Sequence, residues 1–503
     1  MEEKNHVYLQ FTDFDVGHSM TYINLRGERN KKIALVVDCG ISVNSEKPQI
    51  PENINEEFPG EINNVVATFI THVHIDHIGN LGYFIRSGYR GPIYASEVTC
   101  RQAGTILRDC AKIMALHGEA YFSNDDIDLA TSLIKVIKSN IEFEVYEDDE
   151  VKITAIGIEN AHLSGAYSWQ ICIKRVDCED VVLTFSGDVK DENEMFWAKP
   201  IPESVRNKKT TLICESTYGS VIRKPEEKMK FENLVSERYS NGGNVIIASI
   251  SNERPEIILN RLLKMKKNNM LSPDTIFYVR GQLTRKLYNI INNSQSIVFK
   301  EDFCDMGDEI HFMEKFELLH PVGQYILIVS PGMLEGGPSM DAFLAEAHNK
   351  NSRLIITSYI PKGGEAYKIL HTPKGSVYKY VDGRDTVVNM DVVQFTGFSG
   401  HSDQIGLLKF ISQFEVCSLI CNHGDKENIH ALAEKANEVF DFPSYEASRD
   451  VCFKVGPDGV ENIINSKMDI RSTTLSNKKT RHAKSNRSIK IKVKPRRANK
   501  RKK

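Results

Sequence analysis

The hexapeptide His72-Val73-His74-Ile75-Asp76-His77 constrains this chain more than any other stretch. It sets three imidazoles and a carboxylate directly after the apolar run Val65-Val66-Ala67-Thr68-Phe69-Ile70. The run reads as a buried strand, so the cluster falls at a strand's carboxyl end, where open α/β sheets place their sites. Imidazole and carboxylate suit zinc, and catalytic zinc sites draw on them while keeping a position for water. His72 and His74 alternate along an extended loop and can share one ion, while Asp76 and His77 point elsewhere and can begin a second. A lone loop histidine is more often satisfied by hydrogen bonds, but four ligand-type residues at this spacing favour metal.

A chain of 503 residues, 41% of them hydrophobic, can bury more than one core, and its length favours two or three domains. No run of about 18 apolar residues is present, which argues against a membrane span. The acidic start Met1-Glu2-Glu3-Lys4 is unlike a secretory signal, so a cytoplasmic protein is expected. The ten cysteines are scattered without a Cys-x-x-Cys pair, and Cys39, Cys172 and Cys214 sit in apolar runs, as buried reduced thiols do.

Charge is unevenly spread. Residues 478–503 hold fourteen Lys or Arg and no Asp or Glu, so the whole chain's net −3 leaves −17 on the rest. With almost nothing apolar to bury, residues 466–503 read as a disordered basic tail. Clustered cations gain affinity for a polyanion through counterion release, which favours RNA or another polyanion as the tail's partner over a merely solvated segment.

Along the body, strand-like segments at 6–12, 19–25 and 33–38 precede the histidine loop. Helical spacing covers 96–117 and 124–138, and strands return at 151–157, 168–175 and 181–186. Beyond about residue 220 the pattern becomes strand-then-helix: 244–250 before 256–267, 275–279 before 283–291, and 325–329 before 340–348. Such alternation predicts a parallel sheet with crossover helices. Ligand-type residues resume at 401, so this unit reads as an insertion within the first domain. Further donors follow strand-like runs: His162 in Asn160-Ala161-His162, and Asp188 after Leu183-Thr184-Phe185-Ser186-Gly187. A carboxylate at the latter place can bridge two metals about 3.5–4 Å apart. Asp38, in Leu35-Val36-Val37-Asp38-Cys39-Gly40, can cap a strand-to-turn transition or accept the distal N–H of a ligating histidine and fix its tautomer.

The hexapeptide resembles the HxHxDH signature of the metallo-β-lactamase superfamily, whose fold is an αββα sandwich, and Asp38, His162 and Asp188 fall in the order of its other motifs. Three more segments, Leu212-Ile213-Cys214-Glu215-Ser216-Thr217-Tyr218-Gly219, Phe398-Ser399-Gly400-His401-Ser402-Asp403 and Leu419-Ile420-Cys421-Asn422-His423-Gly424-Asp425, resemble motifs A, B and C of the β-CASP nucleases. That branch includes ribonuclease J and the endonuclease of pre-mRNA 3′-end processing. The resemblance runs from about residue 6 to 455. It implies a metallo-β-lactamase domain over 1–215, a β-CASP α/β insertion over 216–385, a return segment over 386–465 and then the tail.

Carried over residue by residue, the resemblance implies two zinc ions per chain. His72, His74, His162 and Asp188 would hold one, and Asp76, His77, His423 and the shared Asp188 the other. Asp76, His401 and Glu215 would be catalytic, with His401 the general acid and Glu215 orienting it. Ser399, Gly400 and Ser402, ahead of a helix expected over 404–412, are predicted to bind substrate phosphate. The implied reaction is phosphodiester hydrolysis by water activated at the metals. RNA-acting members of the branch carry histidine at motif C, and His423 stands there, so single-stranded RNA is the expected substrate. The chain departs from the pattern at Asp425, where glutamate is common, and at Ala161, where glycine is usual; neither removes a ligand. The alternatives are a β-CASP DNA nuclease, a small-molecule metallohydrolase and a non-catalytic RNA-binding scaffold. Homo-oligomerisation is compatible with the chain. Endonucleolytic and 5′-exonucleolytic action are not distinguished.

Overall fold

The computed structural model describes residues 5–11, 18–26, 32–41, 62–116, 118, 120–223, 230–304, 309–314, 323–358, 360–449 and 451–465. The basic tail lies outside them. Two sheets face one another. The first runs in the order Gly459–Asn465, Val451–Gly456, Val7–Phe11, Thr21–Arg26, Lys32–Val37, Val65–Phe69, Ile93–Ala95, Ile134–Val136. The second runs Ser444–Glu446, Val416–Asn422, Thr210–Glu215, Val181–Phe185, Tyr167–Arg175, Val151–Glu159, Glu142–Glu147. Alternating side chains decide which face meets which. Leu9, Ile23, Leu35, Phe69, Trp169, Ile171, Leu183, Ile213, Ile420 and Phe453 form the core between the sheets.

Each sheet's other face carries helices. Glu97–Leu116 and Leu81–Arg86 supply Ile106, Leu107, Leu81 and Phe84 against Val36 and Ile93. On the second sheet, Gln404–Ile411 and Lys426–Val439 supply Leu407, Ile411, Ile429 and Leu432 against Leu212 and Leu419. The result is the expected αββα sandwich. Strands covered on both faces, such as Val181–Phe185 and Thr210–Glu215, are buried at every residue, which is why they read as continuous apolar runs without alternation.

A third sheet, in the order Ile310–Phe312, Phe277–Arg280, Ile326–Val329, Val245–Ala248, Arg353–Ile356, Asp391–Gln394, is parallel throughout. Helices Arg254–Lys267 and Gly337–Glu346 take part in separate cores that bury its strands. The chain then re-enters both sandwich sheets: Val416–Asn422 pairs parallel with Thr210–Glu215, and Val451–Gly456 pairs antiparallel with Val7–Phe11.

Two expectations need correction. The helix expected over 124–138 stops at Ser132, and Ile134–Val136 is instead an edge strand parallel to Ile93–Ala95. Pairing with an open sheet edge overrides the helical spacing there. The insertion's sheet also extends beyond 385, because Asp391–Gln394 pairs with Arg353–Ile356. All ten cysteines are free thiols. No described helix is long and apolar enough to cross a membrane.

Candidate metal centre and catalytic site

Strand ends deliver the site. Val65–Phe69 leads into His72 and His74, and the short helix Ile75–Ile78 carries Asp76 and His77. Val181–Phe185, Thr210–Glu215 and Val416–Asn422 lie side by side and parallel, so Asp188, Glu215 and His423 emerge together at one edge although the chain separates them widely. Gly187 makes the approach of Asp188 feasible. Its φ is +59°, and a Cβ there would stand 2.8 Å from the Thr71 Cβ, which only glycine avoids.

The expected ligands form two groups about one carboxylate. In the first, His72 Nε2 lies 3.0 Å from His74 Nδ1, His162 Nε2 lies 3.2 Å from the same atom, and His72 and His162 stand 3.5 and 3.6 Å from Asp188 Oδ2. In the second, His77 Nε2 and His423 Nε2 each stand 3.3 Å from Asp188 Oδ1, with Asp76 Oδ2 at 4.0 and 3.9 Å from them. Within each group the ligand atoms are within 4.8 Å of one another. His77 Nε2, His423 Nε2 and both Asp188 oxygens are buried without a hydrogen-bond partner. Leaving four such atoms unmatched is costly in a folded interior, and a divalent cation in each group would satisfy them. The nitrogen and oxygen donor set fits zinc.

The outward-facing ring nitrogens are held by protein. His77 Nδ1–H donates to Asp38 Oδ2 at 2.8 Å, and His162 Nδ1–H donates to the Gly400 carbonyl at 2.6 Å. Such bonds fix the tautomer that turns Nε2 inward. Thr71, which has no ligand-type side chain and no signal in its sequence context, ties this arrangement together. Its amide and hydroxyl both donate to Asp38 at 2.8–3.0 Å, and its Oγ1 lies 3.0 Å from His72 Nδ1.

Burial, the largest influence, pushes the pKa of His72 and His162 well below the ordinary value and that of His74 down to about 4, so these three rings are neutral and available as ligands. Burial opposes charge on His77 as well, yet Asp188, Asp38 and Asp76 raise its pKa well above normal. Asp188 is held well below the carboxylate range by His77, His423, His401 and His72 despite its burial. These carboxylate–imidazole attractions mark where a cation's charge would fall.

His401 lies beside the first group, its Nδ1 3.9 Å from Asp188 Oδ2, and with Asp188 and Glu215 it forms a third cluster of ligand-type atoms. Its Nδ1 lies 3.0 and 3.1 Å from the two Glu215 oxygens, while its side chain keeps 19% exposure. Against burial, Glu215 and then Asp188 raise its pKa to about 9. Tyr218 packs its ring 6.0 Å from that of His401, and the Arg223 guanidinium lies over Tyr218 at 4.2 Å while donating to the His401 carbonyl at 2.8 Å. Tyr218 lies within the motif A segment but was given no role, and Arg223 had no local signal.

Ser402, expected to bind substrate phosphate, has protein partners in this structure. It is buried, its amide donates to the Val189 carbonyl at 2.8 Å, and its hydroxyl faces Asp191. The helix Gln404–Ile411 is capped by Asp403, whose carboxylate takes the Gly406 amide at 3.0 Å, so the helix start meets an acid of the protein instead of a phosphate. Gly400 acts through its carbonyl on His162, and the Ser399 hydroxyl accepts the His401 amide at 3.2 Å.

Residues 16–189 match the family described as the metallo-beta-lactamase superfamily. Residues 385–445 match the Zn-dependent metallo-hydrolase RNA specificity domain. The chain is similar to Integrator complex subunit 11 of Gallus gallus, 26% identical over 446 residues, or 86% of this chain and 70% of that protein. It is 24% identical to the transcription termination factor FttA of Cenarchaeum symbiosum over 82% of this chain and 65% of that protein. It is 23% identical to Ribonuclease TTHA0252 of Thermus thermophilus over 80% of this chain and 90% of that protein.

Proposed function

We propose that the chain is a hydrolase of the metallo-β-lactamase superfamily, in its β-CASP nuclease branch, and that it is a two-zinc ribonuclease cleaving single-stranded RNA in RNA processing or decay. The observation that carries the reading is Asp188: one oxygen faces His72 and His162, the other faces His77 and His423, and neither has a hydrogen-bond partner. A carboxylate so placed could serve a cation held in each group. The match to an RNA specificity domain over 385–445 and the motif C histidine His423 support RNA over DNA.

His72, His74, His162 and Asp188 would hold one ion and Asp76, His77, His423 and Asp188 the other, and such ions would supply positive charge near phosphate oxygens and lower the pKa of water. The protein's own residues do the rest. Asp38 and the Gly400 carbonyl hold His77 and His162 in the ligating tautomer. Glu215 holds His401 protonated and oriented, so that the imidazolium can give its proton to the departing ribose oxygen. Ser399 fixes the His401 amide and lies at the cleft beside it. The basic tail extends the contact to RNA backbone outside the cleft. The protein acts in the cytoplasm, alone or as a homo-oligomer.

The deciding experiment incubates zinc-loaded protein with matched RNA and DNA strands, the RNA supplied 5′-phosphorylated, 5′-hydroxylated and circular. Cleavage of RNA in preference to DNA is expected. Equal or faster cutting of DNA would overturn the substrate assignment, and cleavage of circular RNA would identify an endonuclease.

A further inference from the structure

Glu253 has a backbone that glutamate disfavours. Its φ is +59°, a region where non-glycine residues persist only if their surroundings over-determine them. It immediately precedes the insertion's helix Arg254–Lys267, whose Ile258 and Leu262 pack against Val245 and Ile247 of the insertion sheet. The side chain, however, reaches out of the insertion. It is buried, and its Oε1 accepts a hydrogen bond from the main-chain N–H of Ser164. Oε2 lies 3.5 Å from Asn193 Nδ2, which also donates to the Ala161 carbonyl at 3.1 Å. One carboxylate from the insertion therefore holds one side of His162 directly, at residue 164, and reaches the other, at residue 161, through Asn193.

The rest of that loop is fixed by other parts of the molecule. Asn160 Oδ1 accepts the His162 amide at 3.1 Å, and Asn160 Nδ2 donates to the Ser186 carbonyl at 3.2 Å. Ser96 and Thr99 donate to the Gly165 carbonyl at 2.6 and 3.1 Å. All three anchors belong to the sandwich. Glu253 adds the insertion to this set, so movement of the insertion pulls on the backbone that carries His162.

We propose that Glu253 is a positioning residue through which the insertion sets His162, making the β-CASP domain part of the scaffold of the first metal group and not merely a cover over it. The proposal rests on the two-zinc reading above. Partners that orient a metal ligand from outside the coordination shell typically account for 10–100-fold in metal affinity.

The test is zinc release from the loaded full-length protein into a chromogenic chelator, without RNA, together with the visible spectrum of the cobalt-substituted form. E253G removes the carboxylate and relieves the backbone, since glycine adopts this φ freely. One of two zincs should leave about tenfold faster and the cobalt bands should shift, with the melting temperature unchanged or raised. E253Q keeps an oxygen for the Ser164 amide and should release zinc within about threefold of wild type, since that hydrogen bond survives. Should E253G fail to fold, N193A, which frees the Ala161 carbonyl and leaves the Glu253 backbone alone, should show the same accelerated release. Wild-type release and an unchanged cobalt spectrum in the folded variant would overturn the proposal. A wild-type protein that binds no zinc would instead overturn the two-zinc reading beneath it.

Discussion

His401 and Glu215 are 186 residues apart in the chain, yet His401 Nδ1 stands 3.0 Å from Glu215 Oε2. Glu215 closes the strand Thr210–Glu215, and His401 lies in the segment that returns from the insertion. The pair is thus made between two segments that the insertion separates in sequence. Its carboxylate is buried while its imidazole keeps 19% exposure.

If His401 protonates the leaving oxygen, His401→Ala keeps both zincs and loses roughly 10²–10⁴-fold in rate. Glu215→Gln shows a milder loss, because the ring remains and only its orientation and charge are weakened. An RNA with sulfur as the leaving atom at the scissile bond needs little protonation. It should restore cleavage by His401→Ala but not by Asp76→Ala. A sulfur substrate cut no better than ordinary RNA by His401→Ala would show that the histidine places phosphate and donates no proton.

Elemental analysis should find about two zincs per wild-type chain, as a two-metal site requires. Asp188→Ala should lose both, because each Asp188 oxygen serves a different group. A metal-free wild-type protein that still cleaves RNA would refute the metal centre.

Glu256 supplies a pH signature remote from the reaction. It is fully buried, neither carboxylate oxygen has a hydrogen-bond partner, and burial, reinforced by Glu253, raises its pKa from 4.5 to about 8. Between those values the folded state keeps a proton that the unfolded chain has released, so stability is fully present below 4.5 and is lost as pH rises toward about 8. The slope is at most about 1.4 kcal/mol per pH unit. Glu256→Gln, neutral at every pH, should melt higher than wild type at pH 8 and nearly together with it at pH 5. Parallel stability curves for the two proteins would show that Glu256 is ionised in the folded state.

Deleting residues 478–503 removes fourteen cations. RNA binding should weaken and its dependence on salt flatten, since fewer phosphates are neutralised, while single-turnover cleavage at saturating RNA stays nearly constant. A salt slope equal to that of the intact chain would place the tail away from the substrate.

What the sequence by itself determined is local: the histidine and aspartate spacing of residues 72–77, the apolar runs that precede His162, Asp188, Glu215 and His423, and the change to strand-then-helix units after residue 220. Each follows from short-range periodicity or from a residue's place at a strand end, so each is visible in a window of a dozen residues. The tertiary structure decided which groups face one another. Parallel pairing of three distant strands put Asp188, Glu215 and His423 on one edge, and the two oxygens of Asp188 were thereby divided between the metal groups. Packing gives the Ser402 amide to the Val189 carbonyl, and pairing with a sheet edge makes Ile134–Val136 a strand despite its helical spacing. Glu253 had no signature at all, because a carboxylate's reach to Ser164 depends on how the insertion docks. Hydrogen-bond donors and acceptors are matched by three-dimensional proximity, and a one-dimensional pattern carries no record of which distant partner will take them.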